Sequence, residues 1–262
     1  MIEIRTVSTS RFEMEYISFG RGEKTLVVIP GLGVHSVLPQ KETIAKSYSP
    51  FTDLYTVYLF DRVKELRPGY HVDDMAEDTA EAMKLLGLKG VHMIGFSQGG
   101  MIGMRIAGDY PELVDRLILG STSAFLCDDS RKHFIEWSEI ARSGDIRKLN
   151  HEMFSRIYSE EYLKKYAGAF SVLEGMGTRD EMDRLIVQSD ACLFHDTRDS
   201  LKKIKCPVFV LCSRQDRVFP ASDSEYISST LGCPLYVYEG YGHAVYDEAP
   251  DFKARMLGFL TE

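Results

Sequence analysis

The chain is marked by short, continuous apolar runs that stop abruptly. Residues 24–29 contain Leu26-Val27-Val28-Ile29 and end at Pro30-Gly31, residues 54–60 end at Asp61, and residues 90–94 end at Gly95. Residues 117–119, 207–212 and 235–238 are three more, the last stopping before Glu239-Gly240. Runs of this kind predict strands buried on both faces. Residues 11–19 alternate apolar with polar positions instead, which predicts an antiparallel hairpin at a sheet edge.

Helical periodicity lies between the runs. Residues 72–86 place Met75, Ala76, Thr79, Met83 and Leu86 near helical spacing, and residues 99–110 stop at Pro111. Residues 222–231 and 250–260 complete the set. Strand and helix therefore alternate, which predicts an α/β fold with a mostly parallel, eight-stranded sheet flanked by helices. The alternation lapses between about residues 126 and 203. Helical patterns occupy 129–143, 146–158, 161–173 and 179–190, separated by Gly144-Asp145, Ser159-Glu160 and Gly175-Met176-Gly177. Residues 1–125 and 204–262 are thus expected to form the core, and 126–203 an inserted helical lid.

Composition narrows the partners. Apolar residues are 44% and charged residues 27% of 262, values that suit a globular chain able to bury a core around a pocket. The formal charge of −8 argues against nucleic acid or anionic lipid as partner, because both call for a basic face. The five cysteines (Cys127, Cys192, Cys206, Cys212, Cys233) are odd in number and lack CxxC spacing, which argues for reduced thiols and no metal site. There is no apolar run of signal-peptide or membrane-spanning length, so the expected setting is cytoplasmic.

The candidate chemistry begins at Gly95-Phe96-Ser97-Gln98-Gly99-Gly100, between a strand-like run and a helical pattern. This is the nucleophile-elbow pattern in its required context. A turn so sharp strains the serine backbone and leaves no room for a Cβ two residues before or after it. The hydroxyl then projects ahead of a helix N-terminus, where backbone N–H groups favour developing negative charge. A serine needs a base, and His243, after the last apolar run, is the candidate. Asp216, after the run at 207–212, is the candidate acid that would orient the imidazole; Asp128 is the alternative. The order Ser97, Asp216, His243 is the one expected for this arrangement. The backbone N–H groups of Gln98 and Leu32, with Gly33 as alternative to Leu32, are the expected oxyanion donors.

On these residues the chain resembles the α/β-hydrolase superfamily, in its lid-bearing branch. The resemblance spans nearly the whole length. It is carried by Ile29-Pro30-Gly31-Leu32-Gly33, the elbow, residues 111–119, the Asp216 segment and Gly242-His243. Within the branch the chain is most similar to 3-oxoadipate enol-lactonases, small carboxylesterases and haloperoxidase-like hydrolases. Two features depart from the pattern. Members usually carry His-Gly where this chain has Pro30-Gly31, and that histidine helps hold the oxyanion loop. The elbow also resembles that of acyl-protein thioesterases, which lack so long a lid. A serine at position 97 sets the chain apart from the haloalkane dehalogenases and epoxide hydrolases of this fold, which use aspartate there.

The resemblance implies hydrolysis of a carboxylic ester, lactone or thioester of small to medium size through an acyl-enzyme on Ser97, without metal or organic cofactor. Carbon–carbon bond hydrolysis and haloperoxidase or perhydrolase activity are alternatives on the same triad. A ligand-binding homologue without turnover is the alternative of a different class. The expected partner is a small-molecule acyl substrate, and the expected assembly a monomer or homodimer. The lid residues Phe134, Trp137, Met153, Phe154, Tyr158, Tyr166, Phe170, Met176, Met182 and Phe194 are expected to divide between packing and pocket lining.

Overall fold

The computed structural model describes residues 2–262. Eight strands form one sheet: β1 (Ile4–Ser8), β2 (Glu13–Gly20), β3 (Lys24–Ile29), β4 (Tyr55–Val63), β5 (Val91–Phe96), β6 (Val114–Gly120), β7 (Val208–Ser213) and β8 (Leu235–Tyr238). Their spatial order is β1-β2-β4-β3-β5-β6-β7-β8. β2 pairs antiparallel with β1 and β4, and every other pair is parallel. The mostly parallel, eight-stranded sheet expected from the apolar runs is the one observed.

Helices cover both faces. They are α1 (Lys41–Ser47), α2 (Val72–Leu85), α3 (Gln98–Asp109), α4 (Asp128–Ser143), α5 (Ile146–Ile157), α6 (Glu160–Lys165), α7 (Ala167–Leu173), α8 (Arg179–Leu193), α9 (Arg198–Leu201), α10 (Ala221–Leu231), α11 (Val245–Glu248) and α12 (Phe252–Thr261). Side chains alternate across a strand, so the central runs feed two cores. Val27, Ile29, Met93 and Leu117 pack with Met75 and Met83 of α2 and Met101 and Ile102 of α3. Leu26, Val28, Ile94 and Ile118 pack on the opposite side with Phe252 and Met256 of α12. No helix among the described residues is long and apolar enough to cross a membrane.

Several boundaries differ from the sequence expectation. The alternating segment at 11–19 is mainly β2 alone, and its hairpin partner is the upstream β1. Four of the five β1 residues are exposed, so this edge strand carries little pattern. β4 runs past Asp61 to Val63, because Arg62 turns inward and finds hydrogen-bond acceptors there. The helix expected over 161–173 is two helices, α6 and α7, separated at Tyr166. The short helices α1 and α11 were not anticipated; α1 has no buried residue to create a periodic face.

The topology positions the site. β3 lies between β4 and β5, so the chain reverses direction across the sheet at the carboxyl end of β3, where open α/β sheets leave a crevice. The registers Ile29↔Gly95, Phe96↔Gly120, Gly120↔Leu211 and Ser213↔Tyr238 bring the carboxyl ends of β3, β5, β6, β7 and β8 to one edge. The helices α4 to α9 lie between β6 and β7 in the chain. The two ends of that segment meet in an antiparallel bridge, Phe125↔Asp196, and Thr197 N donates to Ala124 O at 2.8 Å.

Candidate active site

Ser97 sits between β5 and α3 with φ 52° and ψ −123°. Among the described residues only Ser97 and Ser121 reach positive φ without being glycine. Such a conformation costs on the order of 1–3 kcal/mol and persists only where the surroundings over-determine it. Here β6 and the residues after it do so. Ser97 N donates to Gly120 O at 2.9 Å, and Thr122 Oγ1 donates to Ser97 O at 2.7 Å. The flanking glycines are required by contact. A Cβ on Gly95 would lie 2.4 Å from Gly99 O, and one on Gly99 would lie 2.1 Å from Ile29 O. Gly100 N and Met101 N both point back to Ser97 O. Gln98 and Gly99 occupy the first turn of α3, where N–H groups have no intrahelical acceptor.

The loop after β3 lies against the serine. A Cβ on Gly31 would come within 3.1 Å of Ser97 Cβ. Leu32, Gly31, Ser97 and His243 line one cavity of about 30 Å³, closed by Trp137, Ile157, Val218 and Tyr246. A larger cavity of about 370 Å³ shares Gly31, Leu32 and Tyr246 and reaches Asp61, Arg62, Tyr158, Arg184 and Asp247.

The structure brings Asp216 and His243 together. His243 Nδ1 is 2.8 Å from Asp216 Oδ2, with the two side chains 4% and 1% exposed. The other carboxylate oxygen, Oδ1, accepts from Val218 N at 2.7 Å and Phe219 N at 2.9 Å. The carboxylate is therefore satisfied by its own loop on one side and presented to the imidazole on the other. Phe219 packs edge-on against the ring, with centroids 5.4 Å apart. Asp128, the alternative acid, is instead exposed at the first turn of α4.

The histidine loop is latched to the helical segment. Ala244 N donates to Ile157 O at 2.8 Å, and the Glu248 carboxylate accepts from Gly242 N at 3.2 Å and Ser159 N at 3.0 Å. Of the ten aromatic and Met residues singled out in that segment, Trp137 reaches the Ser97 cavity and Tyr158 the larger one. Phe134, Met153 and Met182 are core residues, whereas Tyr166, Met176 and Phe194 are exposed. Trp137 is 1% exposed, and its Nε1 has no hydrogen-bond partner.

Two groups at the site escaped the sequence reading. Tyr246 closes both cavities from α11. Arg62 donates through Nη2 to Pro30 O at 2.8 Å and through Nε to Gln98 Oε1 at 3.2 Å. The available signal was the charge pair Asp61-Arg62 directly after a buried strand-like run, which looked like the end of the strand. Gln98 was selected for its backbone N–H, yet its side chain is fully buried as well. It donates to Gln188 O at 2.7 Å and Cys192 Sγ at 3.2 Å. Burial pushes the Cys192 thiol up to about 12, so it stays protonated there.

Comparison with known proteins bears on the fold. The profile of the alpha/beta hydrolase fold family matches residues 24–250. A protein named "Putative carbamate hydrolase RutD" from Serratia proteamaculans is 24% identical over 247 residues, covering 91% of each chain. Among solved structures, the alpha/beta hydrolase enzyme MGS-M2 from a Medee basin deep-sea metagenome superposes with a TM-score of 0.87 at 20% identity, covering 98% of both chains. The enol-lactonase from Burkholderia xenovorans LB400 gives 0.86 at 16% identity, covering 98% of this chain and 100% of that one.

Proposed function

This chain belongs to the α/β-hydrolase fold family, and on that footing we propose that it is a serine hydrolase acting on a carboxylic ester, lactone or thioester through an acyl-enzyme on Ser97. The observation that carries the reading is the pairing of His243 with Asp216 at 2.8 Å, beside a strained Ser97 that shares a cavity with the imidazole. Asp216 holds Nδ1, which leaves Nε2 as the base. His243 takes the Ser97 proton as Oγ attacks the acyl carbon. The Gln98 and Leu32 N–H groups receive the oxyanion. His243 then protonates the departing alcohol or thiol, and water repeats the sequence to release the acid.

Residues 126–203 act in this reading as a lid that trims the acyl pocket. The small volume between Ser97 and Trp137 favours a short acyl group. The name of the carbamate-hydrolase relative brings carbamates into the same acyl class. The substrate is a small molecule, and the chemistry needs no metal or organic cofactor.

A fluorophosphonate probe tests the reading. Wild-type protein is expected to be labelled at Ser97 and to hydrolyse p-nitrophenyl acetate, and Ser97→Ala to do neither. A folded wild type that resists the probe, or a Ser97→Ala variant with full activity, removes the basis for it. Vinylogous diketones and peroxide-dependent halogenation, assayed on the same preparation, separate the two other chemistries open to this triad.

A further inference from the structure

Arg62 is a charged residue in the interior, 6% exposed on the inner end of β4. Among the described residues its guanidinium is in no salt bridge. All its side-chain hydrogen bonds run to neutral oxygens: Nη2 to Pro30 O at 2.8 Å, and Nε and Nη2 to Gln98 Oε1 at 3.2 and 3.1 Å. Burial lowers its pKa from the ordinary arginine value, yet a guanidinium keeps its charge at any working pH. The Asp61 carboxylate next in the chain offsets part of that burial without bonding the guanidinium, and a buried cation whose hydrogen bonds all go to neutral groups remains costly, a cost that an apolar residue of similar length would avoid.

What the guanidinium holds gives it a use. Its two acceptors belong to the two halves of the proposed oxyanion hole. Pro30 opens the loop that carries Gly31 and Leu32. Gln98 follows Ser97 directly and carries the other N–H. The planar fork of an arginine can hold two acceptors at a fixed separation, which a lysine cannot. The far side of Gln98 is fixed to Gln188 O of α8, so the elbow residue cannot swing away from Arg62.

We propose that Arg62 is a positioning residue, a tie that sets the distance between the Pro30-Gly31-Leu32 loop and the elbow so that both N–H donors bear on one oxygen. The role rests on the serine-hydrolase reading. Arg62 lines the larger cavity and not the one at Ser97, so loss of the tie leaves the lining beside Ser97 in place but lets the loop drift, and the penalty falls on the transition state rather than on substrate binding.

The test uses the full-length chain with Arg62→Met and Arg62→Lys. Three quantities are compared with wild type: kcat and KM for p-nitrophenyl acetate, affinity for a trifluoromethyl ketone, and affinity for the matching secondary alcohol. The ketone forms a hemiketal oxyanion on Ser97, and the alcohol does not. Arg62→Met is expected to lose about 10²-fold in kcat, the lower end for a lost oxyanion donor, with KM within about threefold. Ketone affinity should fall in parallel and alcohol affinity should hold. Arg62→Lys, which can still reach Pro30 O, should recover part of the loss and remain about tenfold below wild type. A folded variant with wild-type kcat and ketone affinity overturns the proposal, as does equal weakening of ketone and alcohol. If Arg62→Met does not fold, Arg62→Lys decides by the same criteria. A wild type that neither reacts with the fluorophosphonate nor binds the ketone overturns the hydrolase reading itself. A reactive wild type with indifferent Arg62 variants overturns only the positioning role.

Discussion

Replacing Gly99 by alanine adds one methyl group where α3 leaves the elbow. Built on the existing backbone, its Cβ lies 2.1 Å from Ile29 O and 2.6 Å from Pro30 O. Both are main-chain atoms of β3 and the loop after it, so no side chain can rotate out of the way. Carbon–oxygen contacts settle at about 3.3 Å, so the two segments must part by roughly 1 Å. Overpacking of this kind costs about 1–3 kcal/mol, and collision with a central strand puts Gly99→Ala at the upper end, near 3 kcal/mol. In a chain of this length about 1 kcal/mol moves Tm by 2–4 °C, so a fall of about 6–12 °C is expected. Activity should suffer more than stability. The displaced segment carries Leu32, and a misplacement of about 1 Å costs on the order of 10²-fold in rate. Gly258→Ala is the control. Its Cβ meets open space on the solvent-facing side of α12, and exchanging a helical glycine for alanine should stabilise by about 0.5–1 kcal/mol. Thermal unfolding and p-nitrophenyl acetate kinetics on both variants decide. A Gly99→Ala protein with the Tm and kcat of wild type would refute the contact argument at the elbow.

Other outcomes follow from the same geometry. Asp216→Asn should cost about 10⁴-fold in kcat with little change in KM, because an amide cannot hold the Nδ1–H tautomer; steady-state kinetics with a near-wild-type Tm checks it. The single tryptophan, Trp137, borders the Ser97 cavity, so phosphonylation should change its fluorescence in wild type and not in Ser97→Ala. Across p-nitrophenyl esters, kcat/KM should fall from acetyl to octanoyl, given the cavity of about 30 Å³; a rising series would remove the short-acyl inference. His195 is buried, and burial pushes its pKa down to about 4. Its unfolded value is about 6.5, so the unfolded state takes the proton first and stability drains away between about pH 6.5 and 4 as pH falls. At pH 5 the loss from this residue is about 2 kcal/mol. Urea titrations at pH 7 and 5 should show a smaller loss in His195→Gln than in wild type. Asp223, raised by burial to about 6, works in the opposite sense, since its folded form holds the proton more tightly. Comparison with the His195 variant separates the two.

The amino-acid sequence by itself determined the class of fold and the order of the candidate groups. Strands buried on both faces read as unbroken apolar runs, so β3, β5 and β7 were legible to within a residue or two; β8 shows the same kind of run although, at the sheet edge, three of its four residues are only half-buried. The glycines at 95 and 99 announced a turn whose contacts allow no Cβ, and Ser97 stood between them. Edge strand β1 and the short α1 carried no such signal, because exposed elements have no hydrophobic face to display.

Tertiary structure decided the rest, because each remaining feature depends on residues far apart in the chain. Only folding brings Asp216 to His243 and leaves Asp128 in solvent. Only folding selects Trp137 and Tyr158 from the ten aromatic and Met residues of the helical segment, since helical spacing marks all of them alike. The loop at Pro30 looked the weakest part of the site, for want of the histidine usual in similar proteins. Its support comes from Arg62 on β4, 32 residues away in the chain, a link that local sequence pattern cannot express.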